Sequence, residues 1–123
     1  MLCKNDTLEA DCEKEGASMR VAVTYEDGEV YPYFGHTEEF KIYDIVDGKV
    51  SFSEILATKE YGHDDLITFL YHQGVDAVIC GGIGTIAQTA LIEEGIAVYS
   101  DVMGTVDEAI IDFVRGRLTL KTS

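Results

Sequence analysis

The chain has 123 residues, 46% of them hydrophobic, which is enough for one packed domain and leaves little room for a second. Nine basic residues face 23 acidic ones, a formal net charge of −14; this argues against nucleic acid and against an anionic membrane as partners, since both require clustered Lys and Arg. No apolar run approaches the roughly 20 residues that span a bilayer, and the polar, acidic start lacks the basic and apolar regions of a secretory signal, so a cytoplasmic location is expected.

Residues 1–18 carry many charges and no sustained hydrophobic period, and they read as a mobile acidic extension before a domain that begins at Met19. Cys3 and Cys12 lie there, either as two free thiols or as an accessory metal or redox pair. With Cys80 they make an odd, widely spaced set that is no disulfide framework and contains no C-x-x-C pair. A reducing compartment fits this usage.

Arg20–Tyr25 is a short β-rich run ended by the Asp27-Gly28 turn signal. Phe40–Val46 and Val50–Ala57 each alternate apolar and polar residues across Asp47-Gly48, which predicts a β-hairpin. The second half changes period. Asp64–Gln73 places Leu66, Ile67, Leu70 and Tyr71 at helical spacing before Gly74. Asp76–Cys80 and Ile96–Tyr99 are apolar runs of the buried-strand kind, separated by a helix over Thr85–Glu94. The last helix spans Thr105–Arg115 and opens on a Thr105-x-x-Glu108 capping box, with Val106, Ala109, Ile110, Phe113 and Val114 as its apolar stripe. Residues 119–123 form a short tail. A strand, a hairpin and two helix–strand units imply an α/β domain with a mixed five-stranded sheet and helices packed on it.

In such a sheet, ligands gather beyond the carboxyl ends of the parallel strands. Three segments are expected at that edge: Tyr31–His36, Tyr61–His63 and Cys80–Gly84. Gly81, Gly82 and Gly84 either make a tight strand-to-helix turn or form an anion-binding nest at a helix start. The segment is no P-loop, because no Gly-Lys-Ser/Thr follows. Cys80 is either a buried, inert thiol or a soft ligand whose thiolate the helix start favours. His36, in a loop with no helical face to fill, can bind metal through a neutral imidazole or hydrogen-bond an anion. His63 beside a helix start is favoured as a neutral ring, whereas His72 in a last turn needs no function. Catalysis is poorly supported: no Gly-x-Ser-x-Gly elbow exposes a serine, and the first strand carries no carboxylates for a metal nuclease.

Met19-Arg-Val-Ala-Val, Pro32-x-Phe34-Gly35-His36, Tyr43-Asp44 before Asp47-Gly48, and Gly74-Val-Asp-Ala-Val-Ile-Cys-Gly-Gly-Ile-Gly84 together resemble the dinitrogenase iron–molybdenum cofactor-binding family. Gly95-Ile-Ala-Val, a glycine turn and the last helix continue the likeness, which runs from Met19 to Leu118. The resemblance implies a three-layer, ribonuclease H-like fold and a non-enzymatic carrier of an iron–sulfur or iron–molybdenum-type cluster, with a client metalloprotein as partner. His36 becomes the leading ligand, with Cys80 and His63 as further metal candidates and Gly81, Gly82 and Gly84 supporting the cofactor. Tyr33 departs from the pattern: many members have histidine there, so a two-histidine site is incomplete. A regulatory or interaction module of the same fold, without metal, is the alternative.

Overall fold

A computed structural model describes residues 18–61 and 66–118. Cys3, Cys12, His63, the Asp64/Asp65 helix start, residues 1–17 of the expected N-terminal extension and the whole expected tail 119–123 lie outside the described residues. In chain order the elements are β1 (Ser18–Glu26), β2 (Glu29–Val30), a 3-10 turn (Phe34–His36), β3 (Glu39–Val46), β4 (Lys49–Ala57) and a second 3-10 turn (Thr58–Tyr61). There follow α1 (Leu66–His72), β5 (Ala77–Ile79), α2 (Thr85–Glu93), β6 (Ala97–Tyr99) and α3 (Val106–Val114).

The strands form one mixed sheet in the order β4-β3-β1-β5-β6. Pairing is antiparallel through β4, β3 and β1, and parallel through β1, β5 and β6. Five strands were expected, and among the described residues the sheet has six. The addition is β2, which pairs with the end of β1 through Tyr25↔Val30 and Glu26↔Glu29. Asp27 (φ 51°) and Gly28 (φ 85°) fold the chain straight back on itself, as a tight hairpin turn requires of both central residues. The strand is short because Pro32 arrives without an N–H to extend the ladder. Asp47 (φ 53°) and Gly48 (φ 77°) make the same turn between β3 and β4.

Alternation along β1 divides the core in two. Ala22, Ile42, Val78 and Val98 pack on one face with Phe69 and Leu70 of α1 and Leu91 of α2. Val21, Val23, Tyr43 and Ile79 pack on the other with Val106, Ala109 and Ile110 of α3. The result is three layers, with two helices on one face of the sheet and one on the other.

Polar contacts lock both ends. Arg20 of β1 donates to Asp44 of β3 (3.1 Å) and lies 3.5 Å from Glu54 of β4, while its backbone N–H donates to Asp76 ahead of β5 (2.8 Å). Tyr43 Oη donates to Asp107 Oδ1 at 3.1 Å, tying the first turn of α3 to β3. Burial first, and then the Asp107 carboxylate, push the Tyr43 phenol well above its ordinary range. Thr105 caps α3 as expected, its Oγ1 accepting from the Glu108 N–H at 3.1 Å.

Candidate functional site

Two of the three expected site segments are described, and both lie beyond the carboxyl ends of the parallel strands. They are joined backbone to backbone. Gly82 N–H donates to Pro32 O at 2.6 Å and Phe34 N–H donates to Gly82 O at 2.9 Å, a parallel bridge centred on Tyr33 and Gly82. The reason for glycine here is close approach: a Cβ on Gly81 would stand 2.7 Å from Pro32 Cα and 2.8 Å from Pro32 O. So the glycine pair admits the neighbouring loop, and the Gly82 amide proton is already committed to it. Gly84 precedes α2 without a side-chain cap.

The histidine turn is held from below and open above. Phe34 is buried against Phe40, their rings meeting edge to face at 6.2 Å, and Phe40 stacks on Phe69 at 5.8 Å. Thr24 and Tyr31 exchange two hydrogen bonds, one through each backbone N–H or hydroxyl donor (Tyr31 N–H to Thr24 O, 3.0 Å; Thr24 Oγ1 to Tyr31 O, 2.9 Å). Thr37, also buried, donates from Oγ1 to Tyr33 O at 3.3 Å. His36, fixed at the backbone between these anchors, is exposed. It lines a recess of about 140 Å³ with Tyr25, Glu26, Tyr31, Glu38 and Glu39. Three carboxylates around one imidazole disfavour a bare anion at this point.

Cys80 is different. It is 0% exposed and belongs to the core cluster containing Ala22, Phe34, Val78 and Val98. Burial, with a smaller contribution from the charge of Asp101, pushes its thiol up to about 12. At neutral pH it is a protonated, sealed thiol. Its backbone extends β5, accepting from Val102 N–H at 3.1 Å and donating to Tyr99 O at 2.9 Å. His36 and Cys80 thus share an edge of the sheet but not a recess. Among the described residues, no three His, Cys, Asp or Glu side chains stand close enough to hold a metal ion together.

A third loop joins this edge. Residues 100–104 follow β6, and Val102, Met103 and Gly104 line a groove of about 450 Å³ with Val30, Pro32, Gly81 and Gly82. Reasoning from sequence did not single out Met103, although the strand-end rule applies to β6 as much as to β5. The Tyr31–Phe34 segment is therefore a partition, with Tyr31 facing the histidine recess and Pro32 facing this groove.

The fold and its edge define a small mixed α/β domain whose three strand-end loops enclose two recesses. Residues 17–116 match the family model described as dinitrogenase iron-molybdenum cofactor, and the chain belongs to that family. It is 30% identical over 105 residues to an uncharacterized protein of Methanocaldococcus jannaschii, covering 81% of this chain and 89% of the relative. The crystal structure of PH0822 superposes with a TM-score of 0.75 at 30% identity, covering 85% of this chain and 96% of that one. The apo form of the orange protein from Desulfovibrio gigas gives the same TM-score at 27% identity, with 89% and 98% covered. Among the described residues no helix is long and apolar enough to cross a membrane.

Proposed function

We propose that this chain is a cytoplasmic accessory protein, not a catalyst, that carries an iron–sulfur or iron–molybdenum-type cluster as cargo for a client metalloprotein. The observation that carries this reading is the family match over residues 17–116. The donor set is sparse, and that suits a carrier. A cluster that arrives with its own bridging sulfides needs few protein bonds, and few bonds permit release. His36 is the side chain best disposed to coordinate iron, through a neutral imidazole. Cys80 would have to lose a proton that burial retains, so its proposed part is to shape the floor under the turn, with Gly81, Gly82 and Gly84 setting the path of the wall. His63 completes the proposed metal set.

Anaerobic reconstitution of the full chain with iron and sulfide, with and without molybdate, tests this by absorption and metal analysis. His36→Ala should lose at least tenfold in affinity, about 1.4 kcal/mol, while His72→Ala keeps wild-type loading. Affinity should fall as the imidazole protonates, because the ligand must be free of its proton. It should rise with salt, because Glu26, Glu38 and Glu39 repel an anionic cargo and salt screens them. Equal loading of both histidine variants removes the metal site. A metal-free interaction module would then be the better reading.

A further inference from the structure

The sheet ends on two very unequal strands. β6 closes one side with three residues. β4 closes the other with nine, and its ladder to β3 runs without interruption from Glu39↔Ala57 to Asp44↔Phe52 before a bulge at Asp44/Ile45. An edge strand presents a row of backbone N–H and C=O groups to any extended chain, and proteins usually blunt such edges with charge, proline or brevity. β4 has neither proline nor brevity. It holds one Lys and one Glu, Lys49 and Glu54, and Glu54 reaches back across the sheet surface to pair with Arg20 at 3.5 Å.

Large apolar side chains stand on both faces of this edge. Phe52, opposite Asp44, is 52% exposed, and Ile55, opposite Lys41, is 45% exposed. Val50 is 46% exposed and continues the strip into a groove of about 300 Å³ shared with Ile110, Ile111 and Val114 of α3. The cause is architectural: among the described residues α3 is the single helix on its face of the sheet, and it packs mainly over β1 and β2, reaching β3 through Asp107 and leaving most of β4 uncovered.

Charge selects the occupant. The chain as a whole carries −14, yet residues 49–57 sum to zero. Two copies meeting along β4 bring no net charge from the paired strands themselves, unlike the acidic remainder of the surface taken as a whole. A basic partner, conversely, would gain nothing from this strip. An antiparallel pair of identical strands about a twofold axis is self-complementary, so the second copy supplies the strand this edge is shaped to receive. We propose that this chain forms a homodimer by antiparallel pairing of β4 with β4, joining two sheets into one.

Sedimentation of the full chain under reductant, from about 1 μM to 1 mM, tests this. The wild type should pass from one-chain to two-chain mass within that range, at lower concentration when salt is added, because salt screens the remaining repulsion. Phe52→Lys and Ile55→Lys, on opposite faces of the strand, should each raise the dissociation constant at least tenfold, whereas Tyr71→Lys on exposed α1 should not. All three sites are exposed, so melting temperatures should stay within a few degrees. Amide exchange in Phe52–Ala57 gives a second reading without substitution: it should slow as wild-type concentration rises. A wild type that remains one chain throughout overturns the proposal. So does a dimer that both lysine variants leave intact, which would point to another face.

Discussion

The histidine turn and the cysteine turn lie at one edge of one sheet, a bridge apart, and they solve opposite problems. Phe34–His36 is anchored underneath by a buried ring and two threonine hydroxyls so that its last residue can face water. Cys80–Gly82 is sunk between two neighbours so that nothing on it faces a ligand except backbone. The contrast teaches that position at a strand end does not decide chemistry. What decides it is whether the adjoining loop stands off, leaving a side chain reachable, or closes down to hydrogen-bonding distance.

Substitutions at four positions sharpen or break this comparison. Gly81→Ala should have the largest effect, about 2–3 kcal/mol or more. The new Cβ meets backbone atoms of Pro32, which cannot rotate away. Urea denaturation measures it, and a variant as stable as wild type would mean that the partition loop moves freely. Cys80→Ser should come next, at roughly 1–3 kcal/mol, because it buries a hydroxyl in an apolar cluster. The pH dependence of the wild type bears on the same site. The folded state holds the Cys80 proton up to about 12, whereas the ordinary thiol value is 9.0. Between these values the unfolded chain has lost the proton and the folded chain has not, so stability should fall as pH rises through that window. Comparing wild type with Cys80→Ala isolates this contribution, and parallel pH slopes would show that the thiol is not sealed.

Thr105→Ala lies outside both turns and calibrates them. Loss of its bond from the Glu108 N–H should cost about 1 kcal/mol by thermal melting. His36→Ala should do least, within about 0.5 kcal/mol, as befits an exposed residue. A larger loss would mean that His36 helps to hold its own turn together.

The antiparallel half of the fold was legible because its signals are local. Asp-Gly at 27–28 and at 47–48 demands positive φ at both positions, and alternation on either side fixes the register. The Thr105 cap was legible for the same reason. β2 escaped because two residues cannot display a period. The site divided similarly. That Tyr31–His36 and Cys80–Gly84 share an edge follows from topology, but the purpose of Gly81 does not, since its neighbour Pro32 lies far away in the chain and only the folded backbone brings them together. The sealing of Cys80 was equally hidden. An apolar run ending in cysteine reads the same whether or not an adjoining loop covers it.

The Asp-Gly turns also set a tempo. The β3–β4 hairpin closes across two residues, and hairpins of this kind form in roughly 1–10 μs. The parallel pairing of β1 with β5 must instead bring together groups such as Arg20 and Asp76, 56 positions apart, and so bears the larger loop-closure entropy. Until β5 docks beside β1, the Cys80–Gly82 turn has no partner loop to meet, and the groove beside Pro32 lacks the wall that Gly81 and Gly82 supply. Assembly of the binding edge should therefore follow the slow, non-local part of folding, and substitutions that loosen β5 should delay it while leaving the hairpin's own closure unchanged.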